Sequence, residues 1–378
     1  MKNVNDMAKC CGCGVCVAGC QAGGVELRLN KDGYYIRKIK EDKCISCGKC
    51  VSVCPQTAML EPLGQKALVA YCKNTADVIR SSSGGIAYAI AQFYVNKGYK
   101  IIGAAWSEDK TKVEHMVVES EDVLEKLRKS KYVQSYTPDA FRQIGSCDKA
   151  VVFGTPCQIA GLRNLYGKRE GMILVDFDCM GPSGLGVWSK YLDYLQQRNS
   201  SQITDIQMRW MMYGTRVDFA HGKVYYQDKF HDPFCIMYHM AHMIQETCLR
   251  DCPFLNASSA DLRVGDAWGY TKGFDRKRIH DGLSLVTCQS VLGKQVLQDI
   301  SGSIVAYPVR RKMVKRSKAV CNQNLWDCLR RSDTSIMDAV RLYNQVDIKE
   351  RIYRNVSYLL SVNDSVYLTA KKLADSFR

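Results

Sequence analysis

Cys10, Cys13, Cys16 and Cys20 form a C-x2-C-x2-C-x3-C run, and Cys44, Cys47, Cys50 and Cys54 repeat it 34 residues later, the second run closing on Pro55. Such a repeat is one supersecondary unit used twice. Its spacing suits a cubane cluster: three close thiolates bind three irons, and the fourth lies past the loop and reaches the cluster of the other run. Cluster one is therefore expected to take Cys10, Cys13, Cys16 and Cys54, and cluster two Cys44, Cys47, Cys50 and Cys20. Gly12, Gly14 and Gly48 let the backbone come close. Zinc needs only paired C-x2-C elements and would leave the third and fourth cysteine of each run unexplained. Gln21 departs from the pattern, standing where the second run has Pro55. Cys11 reads as a bystander thiol. Residues 25–29 and 34–39, around Lys31-Asp32-Gly33, read as a hairpin joining the halves.

The chain holds nineteen cysteines in all. No apolar run approaches the roughly 18–20 residues that span a bilayer, and the opening MKNVNDMAKCCGC has no apolar signal core. The expectation is a cytoplasmic, non-transmembrane protein, whose thiols bind metal or do redox chemistry rather than form disulfides. A formal net charge of +15 is either a plain solvated basic surface or a means of steering an anionic partner. Such a partner would be an acidic ferredoxin, a nucleotide-like coenzyme or a phosphorylated substrate. Nucleic acid is not expected. The densest basic run, Arg310-Arg311-Lys312 with Lys315, Arg316 and Lys318, has no interleaved aromatic residues.

Past Pro62 the pattern alternates between strand and helix. Strands are expected at residues 68–72, 99–105, 150–153 and 173–177, and helices at 84–97, at 158–166, at 185–197 and after Ser120. Strand-like segments follow at 203–211, 216–219 and 224–226, and from about residue 325 the chain reads as helical and basic. The fold class expected is α+β: a bacterial-type 2[4Fe–4S] ferredoxin domain over 1–62, a mixed α/β domain over 63–310 and a basic helical C-terminal extension over 311–378.

Four features of the central domain carry chemistry. Ser81-Ser82-Ser83-Gly84-Gly85 opens a helix, where hydroxyls and helix amides suit phosphates; a serine-capped helix start is the alternative, and no G-x-G-x-x-G is present. Gly154-Thr155-Pro156-Cys157-Gln158 sets a cysteine at a helix N-terminus, which favours its thiolate. Asp178-Cys179-Met180-Gly181 also follows a strand, and Cys248 and Cys252 form C-x3-C-P. Gly265-Asp266-Ala267-Trp268-Gly269 puts an acid and an indole in a glycine-flanked loop. Cys157, Cys179, Cys248 and Cys252 either hold a third [4Fe–4S] cluster or are buried thiols. Asp266, His239 and His242 are candidates for acid–base work, the histidines sharing a helix face at i, i+3; no catalytic residue can be chosen among them.

The two cysteine runs, SSSGGIAYA, SKYVQS, GTPCQIAGLR, DFDCMGPSG and CLRDCPF followed by DLRVGDAWG occur in an order that resembles the coenzyme F420 hydrogenase/dehydrogenase beta-subunit family, from residue 10 to about 270. The resemblance implies a flavoprotein. Related proteins bind FAD in this domain and pass electrons between flavin and clusters; they include the subunit that reduces the deazaflavin coenzyme F420 and a plant-type reductase of hydroxymethyl chlorophyll. Carried over by motif, Ser82, Ser83, Gly84 and Gly85 would contact the FAD phosphates, and Lys131, Gln134, Ser135, Thr155 and Gln158 would line the flavin. The resemblance also favours the third cluster.

The function this implies is an FAD- and iron–sulfur-dependent oxidoreductase acting on an organic substrate, or on a deazaflavin or ferredoxin-type carrier. The alternative is an electron-transfer subunit serving a partner oxidoreductase, with no substrate chemistry of its own.

Overall fold

The computed structural model describes residues 3–7, 9–210, 214–314, 322–346 and 352. The cysteine repeat is also a repeat of conformation. Short helices Val15–Ala18 and Lys49–Ser52 each open on a left-handed glycine, Gly14 at φ 77° and Gly48 at φ 74°, a backbone that other residues adopt only at a cost. Between them, Val25–Leu29 pairs antiparallel with Tyr35–Ile39.

The rest is built on a nine-stranded sheet, ordered Ile304–Arg310, Lys66–Cys72, Ser284–Cys288, Leu262–Asp266, Met172–Phe177, Ala150–Gly154, Lys100–Trp106, Val113–Val118 and Ser135–Tyr136. The run from Leu262–Asp266 to Lys100–Trp106 is parallel. Antiparallel strands flank it on both sides. Its two middle strands, AVVFG and MILVDF, are buried almost throughout, as parallel strands covered on both faces must be. Period-2 alternation divides their side chains. Val151, Phe153, Ile173 and Val175 join the core that holds helix Ile86–Val95. Val152 and Leu174 point the other way, into a core shared with Phe141, Ile159 and Leu162. Val15, Val17 and Val53 of the cysteine-rich segment belong to that second core, so this segment and the sheet are packed as one body.

A separate three-stranded sheet, Ile203–Trp210, Gly214–Phe219 and Val224–Gln227, packs in a third core with helix Leu185–Arg198. Helices Gln323–Arg330 and Ile336–Val346 complete that core through Leu325, Trp326, Leu329, Ile336 and Val340. Trp326 meets the ring of Tyr34 edge-on at 5.9 Å, and Arg330 pairs with Asp32 at 2.6 Å. The first part of the basic C-terminal stretch is thus held against the hairpin. Lys315, Arg316, Lys318 and residues 347–378, apart from 352, lie outside the described residues, as does Met211 at the end of an expected strand.

The structure departs from the sequence-based expectations in three places. Residues 121–127 form a 3-10 helix, and Ser120 makes no side-chain cap. Gly265 and Asp266 end a strand rather than sitting in a loop. His239 and His242 do not share a helix face: a π-helix runs over Ile236–Met240, and His242 lies beyond it with φ at 51°. Among the described residues no helix is long and apolar enough to cross a membrane.

Candidate cluster and cofactor site

One cavity in the N-terminal segment is lined by Cys10, Cys13, Cys16 and Cys54, together with Cys11 and Arg37. Three of these thiols come from the first run and one from the second, the crossed set expected from the spacing. Burial pushes the Cys16 thiol up to about 12, and Cys10, Cys54 and Cys50 add to the effect as like charges. Burial likewise raises Cys50, with Cys20 and Cys44 beside it, while Cys47 is exposed. Thiols crowded this way repel one another as thiolates unless a cation lies between them, so the donor set fits an iron–sulfur group. Among the described residues no three His, Cys, Asp or Glu side chains converge as ligands of a single ion. A cubane makes no such demand, because each thiolate binds its own iron.

The central cysteines also come together. Cys157 follows strand Ala150–Gly154 and Cys179 follows Met172–Phe177, so both stand at carboxyl ends of adjacent parallel strands, where open α/β sheets hold their ligands. Cys248 lies in helix Glu246–Asp251, and Cys252 caps it. Burial pushes Cys179 up to about 12, with Cys157 and Cys252 adding to the shift; Cys248 is raised by burial and by Cys179, Cys157 and Cys252. A Cβ on Gly181 would stand 2.7 Å from that of Cys248, so only glycine lets the Cys179 loop come this near the helix. This donor set, too, fits an iron–sulfur group.

Cys11, the apparent bystander, lies where the two sets meet. Its buried thiol is raised well above its ordinary value, with Cys13 and Cys157 both near enough to act on it. The backbone around it is held by side chains of the central domain. Gln134 donates Nε2–H to the carbonyls of Cys11 (3.2 Å) and Tyr35 (3.3 Å), and its Oε1 accepts from the Tyr35 amide at 2.6 Å. Thr137 Oγ1 donates to the Cys13 carbonyl at 2.7 Å, Gln245 Nε2 to that of Cys10 at 2.9 Å, and Asn164 Nδ2 to that of Cys54 at 3.0 Å. The buried Gln134 amide therefore serves this seam, whereas the motif placed it against a flavin. Asn164, Thr137 and Gln245 were missed because nothing in their spacing marks a partner more than a hundred residues away.

The remaining expected cofactor residues form two groups. In the serine loop, Ser82 Oγ accepts from the Ser130 amide at 2.7 Å, Ser83 Oγ donates to the Leu283 carbonyl at 2.7 Å, and the Gly84 amide donates to Ser284 Oγ at 3.0 Å. These hydroxyls fasten the loop to its neighbours. Helix Ile86–Val95 begins after Gly85 with no side-chain cap, which leaves its first amides to serve an anion. Lys129 and Lys131 flank Ser130. Lys129 Nζ donates to the carbonyls of Ile79 (2.9 Å) and Ser81 (3.0 Å), and Lys131 Nζ to that of Arg128 (2.6 Å). Desolvation lowers Lys131 to about 7, and desolvation with Arg209 and Arg128 nearby lowers Lys129 to about 8. In the second group, Gln158 Oε1 accepts from the Thr155 amide at 2.8 Å and its Nε2 donates to Ser135 Oγ at 3.0 Å. Asp266 pairs with Arg209 at 2.8 Å and accepts from Trp268 Nε1 at 3.1 Å. Burial lowers His239 to about 4, which leaves it neutral near pH 7.

Residues 147–309 match the C-terminal part of the coenzyme F420 hydrogenase/dehydrogenase beta subunit, and residues 9–59 match a 4Fe-4S dicluster domain. The chain thus carries a domain of the F420 hydrogenase/dehydrogenase beta-subunit type over residues 147–309 and a dicluster domain at its N-terminal end. All four central cysteines lie in the beta-subunit span, whereas Ser82–Gly85 and Lys131–Ser135 fall between the two matched stretches. Over 171 residues the chain is 31% identical to the coenzyme F420-dependent sulfite reductase of Methanocaldococcus jannaschii, covering 44% of this chain and 26% of that protein; it thus spans about a quarter of that relative's length. A solved chain of the F420-reducing [NiFe] hydrogenase complex from Methanosarcina barkeri aligns over 77% of this chain and 93% of its own, with a TM-score of 0.45 and 16% identity. The two matched domains make this an iron–sulfur protein related to F420-dependent oxidoreductases.

Proposed function

We propose that this chain is an iron–sulfur flavoprotein oxidoreductase that passes electrons between [4Fe–4S] clusters and FAD, and so to or from an organic substrate or a deazaflavin-type carrier. The observation that carries the reading is the meeting of the two thiol sets at Cys11: Cys10, Cys13, Cys16 and Cys54 on one side, Cys157, Cys179, Cys248 and Cys252 on the other. Clusters move one electron at a time, and bound FAD would supply the exchange with two-electron chemistry. The protein's own part is to position and to tune. Gln134, Thr137, Asn164 and Gln245 fix the first set against the sheet. The uncapped helix Ile86–Val95 and the two desolvated lysines favour the pyrophosphate.

Anaerobically reconstituted protein is expected to hold about twelve irons, four per cluster, and one FAD. Cys157→Ser and Cys252→Ser are each expected to lower the iron count to about eight. A count of eight irons with no flavin in the unaltered chain overturns the proposal.

FAD affinity is expected to depend on pH through Lys131. An anion beside the lysine favours its protonated form. Affinity is therefore highest below about pH 7 and falls as pH rises past it. Titrations of the apo-flavin protein between pH 6 and 9 would show this slope, and Lys131→Met is expected to weaken binding and flatten it.

A second reading, electron transfer on behalf of a partner enzyme, draws on the match to only a quarter of a longer reductase. Turnover that appears only when a partner is added would favour it.

A further inference from the structure

The two halves of the dicluster segment are alike in sequence and backbone but not in surroundings. A Cβ added at Gly14 would collide with Thr137 Oγ1 and crowd the Pro138 ring, whereas one at Gly48, the equivalent position, meets nothing within 4 Å. Cys13 and Cys16 are buried, and Cys47, the counterpart of Cys13, is exposed. Beside it Ile45 is 72% exposed, with Ser46 in a left-handed turn between them. The first half is pressed on the sheet, and the second presents its ligand loop and an apolar side chain to solvent. Lys43 and Lys49, each preceding a ligand-run cysteine, are exposed. Of the loop's other charges, Lys40 is paired with Glu26 at 2.9 Å, and Glu41 and Asp42 are exposed.

We propose that the face formed by Ile45, Cys47, Lys43 and Lys49 docks an acidic one-electron carrier protein, which exchanges electrons with the cluster of Cys44, Cys47, Cys50 and Cys20. The inference rests on the iron–sulfur reading of that cysteine run. An exposed Ile at the centre supplies desolvated contact, flanking lysines meet carboxylates, and the chain's net charge of +15 steers an acidic partner from a distance. The inner half cannot serve, because Thr137 and Pro138 cover it. The step is one electron from the carrier's reduced cluster to the oxidised outer cluster, or the reverse, with no bond made or broken.

The test uses the full chain, reconstituted anaerobically, and a purified, reduced, acidic ferredoxin as probe. Stopped-flow absorbance gives the second-order rate of cluster reduction at several salt concentrations, with dithionite as the small-molecule control. Lys43→Glu/Lys49→Glu is expected to lower the ferredoxin rate about tenfold at low salt and to flatten its salt dependence, and Ile45→Ser to lower it several-fold. Glu41→Lys/Asp42→Lys is expected to raise it. Iron content and the dithionite rate are expected to stay unchanged in all three. A ferredoxin rate and salt slope indifferent to all three variants overturns the proposal. A wild-type chain short of its outer four irons overturns the cluster reading instead, so the two failures are distinguishable.

Discussion

Arg263→Met is expected to destabilise the chain by about 3–5 kcal/mol, the cost of leaving one member of a buried ion pair alone. Arg263 and Asp176 are both fully buried, on adjacent parallel strands, and pair at 2.6 Å. The guanidinium also donates to the Phe254 carbonyl at 2.9 Å, and Ser258 Oγ donates to the carboxylate at 2.6 Å. Burial raises the Asp176 carboxyl while Arg263 pulls it down, so removing the arginine leaves an ion without its counter-charge. Arg263→Met with Asp176→Leu is expected to recover much of the loss, because an apolar pair of similar volume escapes the desolvation cost. Anaerobic denaturant unfolding followed by circular dichroism compares the two. A single variant as stable as wild type would mean that water reaches the pair.

The second large effect is a contrast between two alanines. Gly48→Ala is expected to cost about 1–2 kcal/mol, the strain of a left-handed non-glycine residue. Gly14→Ala carries the same backbone strain and a collision as well. Its Cβ runs into Thr137 Oγ1, which is tied to the Cys13 carbonyl and cannot turn away without breaking that bond. The collision adds about 1–3 kcal/mol, as overpacking does. The two positions share sequence context and φ, so their difference isolates the contact with the sheet domain. Anaerobic melts read through cluster absorbance would show Gly14→Ala losing its clusters at the lower temperature. Equal shifts would mean that the first half is not pressed against Thr137.

Much of this was legible in the chain. The cysteine spacing grouped Cys10, Cys13 and Cys16 with Cys54, and these four thiols line one cavity. The strands Ala150–Gly154 and Met172–Phe177 were legible as apolar runs, and helix Pro156–Tyr166 over 158–166, short of its first turn with Pro156 and the Thr155–Gln158 capping box. Other elements were masked. Val113–Val118 carries a glutamate and a histidine, and its His115 is buried against Phe141, so its polar letters conceal its burial. Ile304–Arg310 contains Pro308, which argues against a central strand, yet it lies at the sheet edge where a missing amide is tolerated. The serine loop showed its composition but not its bonding, because hydroxyls that fasten a loop and hydroxyls that await a phosphate are the same residues. Gln134 matched a motif, but its partners, Cys11 and Tyr35, lie about a hundred residues away and leave no mark in local spacing.

The five carbonyls gripped by Gln134, Thr137, Gln245 and Asn164, and the valines that the N-terminal segment lends to the core under the sheet, mean that this segment is not a detachable cassette. Cutting it away would bare an apolar floor and leave four polar side chains without acceptors, so neither piece would keep its shape. The separation of the two thiol sets across the seam is therefore set once, at folding. On the proposed reading, electron flow would answer to the potentials at either side of that gap, and not to one side swinging toward the other.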